Sequence, residues 1–493
     1  MKDIELKEGD QAKQQMTREN NGCVKVTVPE NTAAKYGLSK DELIQIAGTA
    51  GWVRTRWALL VLFWLGWVGM LAGAIVIIVQ APRCKPIPEM NWWNEGLLYQ
   101  ISDVGAFSDN GLKGVEEKLD YLSQMKIKGL VLGPIHTVEA NKLDTLNLTS
   151  NTLDTPNLTS VKSEVGTENE LESLLEQAHK KGISIVLNLT PDYEGASGWS
   201  NVIAEKIRDA CAFWLRKGFD GIFLSDLGLT TVEKDFWPSI QVIFNQTDKT
   251  KKVALMGSVT GLSVDDVSLL LNRSGVDLLL TGLLDPAVPG VTQAQVIQKL
   301  YSAHLQTSLG WSLSGRTLGS LASRSPAVPL RLFHTLLFTL PGTPVFSAGD
   351  EVGLKTGEKP RTMWDLENPA EETNATAKAV REERIAARNF FKALGDLKRR
   401  ERSLLHGEYF SLSSSPTSLA FLRLWDQSER FLVALNWGND SVTMKLTNSD
   451  LPAEARVRAT TDEEKLAVDR KVSLEKLELG PKQAVLLSYP YAG

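Results

Sequence analysis

Only three of the 493 residues are cysteine, at positions 23, 84 and 211. So sparse a set excludes a disulfide-built domain, and folding has to rest on hydrophobic burial, for which 43% apolar residues is ample. Long basic runs are missing as well, and the formal charge is −5, which argues against a nucleic-acid partner. Charge and proline are both absent for 23 residues between Trp57 and Val79. A stretch without ionisable or hydrogen-bonding groups cannot line a solute pathway, so this chain does not carry a substrate across a membrane by itself.

What that stretch can do is span. At about 1.5 Å per residue, one helix over 57–79 crosses a hydrocarbon core of about 30 Å. It starts too far into the chain and runs too long for a secretory signal, and reads as an uncleaved signal-anchor in membrane lipid. Lys40, Arg54 and Arg56 precede it, while Arg83 and Lys85 follow. This excess predicts a cytosolic N-terminus and an extracellular bulk, a type II arrangement at the plasma membrane. Residues 1–56 are expected to be a mostly disordered cytosolic tail with a short helix around Leu38–Ala47, and 80–91 a stiff, proline-bearing neck. Gly66, Gly69 and Gly73 share one face of the helix, where a second membrane helix could approach closely.

The N-x-S/T triplets agree with that orientation. Asn147, Asn157, Asn188, Asn245, Asn272, Asn374 and Asn439 all follow the span. Asn147 and Asn157 lie in a tandem repeat, LDTLNLTSNT and LDTPNLTSVK, that reads as an exposed loop. Asn188 falls in an apolar strand pattern and is expected to stay unmodified, leaving the other six as glycosylation candidates.

From Trp92 onward, short apolar runs alternate with longer amphipathic stretches. The runs are GLLYQI (96–101), GLVLGP (129–134), SIVLNLTP (184–191), GIFLSDL (221–227), VALMGSV (253–259), DLLLTGLL (277–284), WSLSG (311–315) and PVFSAGDE (344–351). Eight such repeats predict an α/β fold, a (β/α)8 barrel over 92–405. After Leu405 the texture changes to alternating runs such as LAFLRLW and RFLVALNW, which predict an antiparallel β domain over 406–493.

The blocks WWNEGLLYQI, EQAHKKGISIVLNLTPDY, GFDGIFLSD and LFTLPGTPVFSAGDE, in that order, resemble the alpha-amylase superfamily of glycosidases. With GWVRTRWALLVLFWLGWVGMLAGAIVIIVQAPRC ahead of them, the chain is similar to the 4F2-type heavy chains, heavy subunits of heteromeric amino-acid transporters. Retaining glycoside hydrolysis needs two carboxyl groups about 5–5.5 Å apart. By the resemblance, Phe223 stands where the strand-4 Arg belongs, Ser225 where the nucleophile belongs, and Ser258 where the strand-5 acid/base belongs. Ser314 is the counterpart of the strand-7 Asp, and Asn188 and Tyr193 replace an Asp and a His on strand 3. Asp226 neighbours Ser225 but should face the other side of its strand. A serine without a base replaces neither carboxylate, so no enzyme, metal or cofactor is expected. Asp350 and Glu351 are read as polar support at a strand end.

Cys211 sits in a helix pattern with Ile207 and Trp214 and is expected in the core, and Cys23 lies ahead of the span. That leaves Cys84 as an odd exposed thiol, which suggests an intermolecular disulfide; a Cys84–Cys211 bridge or a capped thiol are the alternatives. The resemblance implies that Cys84 bonds a multi-spanning light chain, which the heavy chain stabilises and brings to the cell surface. It also permits a link to integrins. The competing functions are a membrane-anchored glucosidase and a cell-surface adhesion or carbohydrate-binding receptor.

Overall fold

The computed structural model describes residues 39–81, 84–136, 158–189, 201–225, 227, 236–246, 252–285, 287–315, 318–324, 329–366, 375–446 and 448–491. The chain falls into two units, Met1–Arg83 and Cys84–Gly493.

The first unit holds two helices, α1 (Lys40–Ala47) and α2 (Ala50–Gln80). Ser39 starts α1 with a capping box, its hydroxyl accepting from the Glu42 N–H while the Glu42 carboxylate accepts from the Ser39 N–H. Thr49 then adopts extended backbone (φ −63°, ψ 143°) and begins α2 afresh. With 31 residues, α2 is about 46 Å long and contains the expected span, starting two turns earlier at the end that carries Trp52, Arg54 and Arg56. None of its side chains is buried.

In the second unit, eight parallel strands close a barrel in sequence order: β1 (Leu97–Ile101), β2 (Ile127–Leu132), β3 (Ser184–Asn188), β4 (Gly221–Leu224), β5 (Ala254–Ser258), β6 (Leu278–Leu280), β7 (Leu309–Trp311) and β8 (Thr343–Ser347). Each is buried on both faces, which is why the strands read as unbroken apolar runs instead of alternating ones. Leu98, Val131, Val186, Phe223, Met256, Leu278 and Val345 fill the barrel interior. Their neighbours in sequence, such as Leu97, Tyr99, Leu130 and Leu187, face the helix layer. Strand β7 ends three residues before Ser314, earlier than the run WSLSG suggests, because Leu309 and Gly310 pair with β6 and the last paired residue, Trp311, pairs with Pro344 of β8.

Beyond the barrel, β9 (Glu408–Ser415), β10 (Ser418–Leu424), β11 (Arg430–Asn436), β13 (Glu454–Thr460), β14 (Lys471–Ser473) and β16 (Gln483–Tyr489) form an antiparallel sheet in the order β14-β13-β16-β11-β10-β9. The pair β12 (Val442–Met444) and β15 (Leu477–Leu479) forms a second sheet. Leu419, Phe421, Val433 and Leu486 join the barrel's core, whereas Ala420, Leu422, Leu432 and Leu487 share a core with Met444, Leu477 and Leu479 of the small sheet. One sheet thus has two dry faces.

One buried cation fastens this sheet to the barrel, and a second braces the barrel side of the joint. Arg423 of β10 donates to the Thr339 carbonyl at 2.6 Å and twice to the Gly407 carbonyl, at 2.9 and 3.2 Å. Lys398, on the helix Ala375–Arg400, donates to the Leu340 carbonyl at 3.3 Å. Thr339 and Leu340 end the helix Leu330–Thr339, whose last carbonyls carry the negative end of the helix dipole. Burial, and the Arg423 charge next to it, hold the Lys398 amine well below its usual range. Arg423→Ala removes the donors and leaves carbonyls without partners. It should cost about 2–4 kcal/mol, read as a lowered denaturant midpoint of the full chain; an unchanged midpoint would show that the sheet is held by apolar contact alone.

Candidate functional site

The barrel mouth is where a (β/α)8 enzyme keeps its chemistry, so its side chains are decisive. Phe223 and Ser225 are in phase on strand β4, as alternation requires, and both point into the barrel axis rather than at the helix layer. Phe223 is 2% exposed and forms the floor. Around it stand Gln100, Ser225, Ser258, Thr260, Ser312 and Ser314. The Asn188 side-chain amide donates to the Ser225 hydroxyl at 3.3 Å. The cavity they leave is about 40 Å³, room for a few waters and far short of a sugar ring. Among the described residues no carboxylate and no histidine lines it. Asp226 and Tyr193 lie outside the described residues.

Among the described residues, Asp350 bonds Ser314 of the lining and Glu351 follows it, and both are committed to structure. Gly349, at φ +97°, turns the chain sharply after strand β8, a backbone conformation that suits only glycine easily. Asp350 then bonds the Ser314 hydroxyl and accepts from the Ser347 N–H at 2.8 Å and the Leu321 N–H at 3.3 Å. Glu351 accepts from the Tyr99 hydroxyl at 2.8 Å, the Tyr121 hydroxyl at 3.2 Å and the Gly349 N–H at 3.0 Å. Ser314 therefore bridges the mouth to strand β8. His334 donates its Nε2–H to the Asp350 carbonyl at 2.9 Å, burial lowers it to about 4 and so makes it a weak base, and it does not line the mouth. Neither tyrosine was marked by spacing or periodicity; each meets Glu351 only through the fold.

Burial pushes the Glu351 carboxyl up to about 7 and Asp350 up to about 6. A carboxyl raised in the folded state binds its proton more tightly there than in the unfolded chain. Its stabilising effect is complete below the unfolded value of about 4 and is lost as pH climbs through 6 to 7. The chain should therefore be more stable near pH 5 than near pH 8. Glu351→Gln, which keeps an acceptor for Tyr99, should flatten that slope; thermal melts at the two pH values with the same slope in both proteins would contradict it.

The second region is the neck. Cys84 is exposed and unpaired, and Cys211 is unpaired and fully buried in the helix Asn201–Lys217, where burial pushes its thiol up. Next to Cys84, the Lys85 N–H donates to Asp426 at 3.2 Å and its ammonium pairs with Glu408 at 2.8 Å. The neck is thus pinned to the start of β9 and to the turn between β10 and β11, an anchor that sequence reading missed. Cys23 lies outside the described residues. On α2, a Cβ built on Gly66, Gly69 or Gly73 would meet nothing within 4 Å, so that face is uncovered among the described residues.

Of the sequon asparagines, Asn245, Asn272 and Asn439 are exposed. Asn188 is buried at the mouth, and Asn147, Asn157 and Asn374 lie outside the described residues.

A family model for the Solute carrier family 3 member 2 N-terminus matches residues 23–99, and one for the Alpha amylase, catalytic domain matches residues 102–199. The alpha-amylase from Geobacillus thermoleovorans, solved in complex with acarbose, superposes with a TM-score of 0.59 at 19% identity, covering 82% of this chain and 100% of that one. At that identity the likeness speaks for the fold alone. The amino acid transporter heavy chain SLC3A1 of Homo sapiens is 22% identical over 86% of this chain and 82% of its own length. The heavy chain SLC3A2 of Rattus norvegicus is 38% identical over 100% of this chain and 98% of its own length. That of Oryctolagus cuniculus reaches 40% over the same shares. The membrane-type helix, the amylase-like barrel and the β sheet behind it are therefore one inherited chain, and it belongs to the SLC3A2 amino acid transporter heavy chains.

Proposed function

We propose that this chain is a non-catalytic heavy subunit, joined through a Cys84 disulfide to a multi-spanning light chain that does the transporting. The heavy chain stabilises that partner and brings it to the plasma membrane, with its own N-terminus in the cytosol and Cys84–Gly493 outside. The observation that carries this reading is the exposed, unpaired thiol of Cys84, four residues past the end of α2. Two partners confined to one membrane meet at a high effective concentration, and a disulfide between them forms readily in an oxidising compartment. The open Gly66, Gly69 and Gly73 face offers close packing for a membrane helix of the same partner.

The absence of catalysis is supported at the mouth. Hydrolysis with retention needs a carboxylate pair, and serines stand at 225 and 258, with no carboxylate or histidine among the described residues that line the mouth. What remains is a rigid barrel, which serves as a folded mass above the light chain. Exposed Asn245, Asn272 and Asn439 are open to glycan attachment in the same compartment.

Electrophoresis without reductant tests the tether. Wild-type chain should run as a disulfide-linked complex that Cys84→Ser abolishes, while Cys211→Ser leaves it intact; a complex that survives Cys84→Ser would refute the assignment. Glu408→Gln with Asp426→Asn should slow formation of that complex without preventing it, because Lys85 then no longer fixes the neck. An aryl α-glucoside should not be hydrolysed by the full chain, and turnover above the buffer rate would contradict the non-catalytic reading.

A further inference from the structure

The membrane contact of this chain does not end with α2. Helix α1 is eight residues long, KDELIQIA, and none of its side chains is buried. At 3.6 residues per turn, Ile46, Leu43, Ala47 and Ile44 fall within an arc of about 160°, with Asp41, Gln45 and Glu42 on the opposite side; Lys40, the first residue, falls within the apolar arc, where its long stem can lie along the stripe while its ammonium reaches water. The apolar side chains are open, with Leu43 53% exposed, Ile44 61% and Ile46 39%. A helix this short is marginal in water even with a good cap, so an uncovered apolar stripe needs a surface.

The position of α1 in the chain identifies that surface. Only Gly48 and Thr49 separate it from α2, and the extended Thr49 breaks the helix so that α1 need not continue along the axis of α2. The Thr49 hydroxyl also donates to the Ile46 carbonyl at 2.7 Å, tying the break together. The first turns of α2 carry Trp52, Arg54, Arg56 and Trp57, the residue types that sit at the headgroup level. Two linking residues hold α1 within a few ångströms of that level. Charge argues for apolar insertion rather than adsorption to anionic lipid, since α1 carries Lys40 against Asp41 and Glu42.

We infer that α1 lies in the headgroup–acyl boundary on the N-terminal side of the membrane, burying Leu43, Ile44, Ile46 and Ala47 in lipid and keeping Asp41, Glu42 and Gln45 in water. It acts as an interfacial foot for α2, limiting the tilt and sliding of the anchor. Burial of this stripe is a property of the heavy chain itself and needs no partner.

Collision accessibility of spin labels tests this. A nitroxide-bearing amino acid is placed, one site at a time, at Leu43, Ala47, Asp41 and Gln45 of the full chain, with Met70 in α2 as reference. The chain is held in phosphatidylcholine nanodiscs and probed with oxygen and a water-soluble nickel complex. The expected result is a shift toward oxygen at 43 and 47, toward nickel at 41 and 45, and strongly toward oxygen at 70. Equal nickel accessibility at all four α1 sites, with Met70 in lipid, would overturn the inference. Protection of 43 and 47 that appears only on adding a light chain would overturn it too, assigning the stripe to protein. A water-exposed Met70 would remove the membrane reading of α2 and the inference with it.

Discussion

An apolar helix that none of the described residues covers is the constraint from which the rest follows. Each Leu, Ile, Val or Phe in α2 gains about 0.3–0.6 kcal/mol on entering a bilayer, and no polar group in the run opposes them. The unit Cys84–Gly493 is therefore restricted to a surface, and any reactive group close to Gln80 in the chain meets the same neighbours repeatedly. Cys84 is such a group. Its neighbour Lys85 is held by Glu408 and Asp426, so the thiol is presented from a fixed part of the folded unit instead of wandering on a loose strap.

The packing of the barrel lies apart from its mouth. Its stability resides in the interior cluster around Leu98, Val131 and Met256 and in the helix layer around Tyr99, Leu130 and Leu187. Neither depends on the mouth, where Phe223, Ser225 and Ser258 stand. Serines there avoid the repulsion and desolvation that a pair of buried acids would impose, so nothing in the packing calls for acids at those positions. The buried acids that persist, Asp350 and Glu351, are those with hydrogen-bond donors arranged around them. Fold and activity are separable here because they use different side chains of the same strands.

Local pattern made the eight barrel strands readable, since parallel strands covered on both faces must be continuous apolar runs. Alternation on strand β4 also says that Asp226 faces away from Ser225, and residue 226 lies outside the described residues. What was not readable depends on contacts distant in sequence. Arg423 meets Thr339 across 84 residues, and Tyr99 meets Glu351 across 252. Nothing local to any of the four announces a partner. The end of strand β7 at Trp311 escaped for a related reason, because its pairing with Pro344 of β8 sets it and not the apolar run itself. At the N-terminal side, the short helix was visible in the sequence, but its break from α2 rests on one backbone torsion at Thr49.

The central claim is that a folded, non-catalytic barrel is held beside another protein's transport pathway. Mass spectrometry of what reduction releases from the chain, captured at the cell surface in a mild detergent, addresses it directly. The account predicts one multi-spanning amino acid transporter polypeptide in equal amount with the heavy chain. Recovery of the heavy chain by itself, with no membrane polypeptide freed by the reductant, would contradict it.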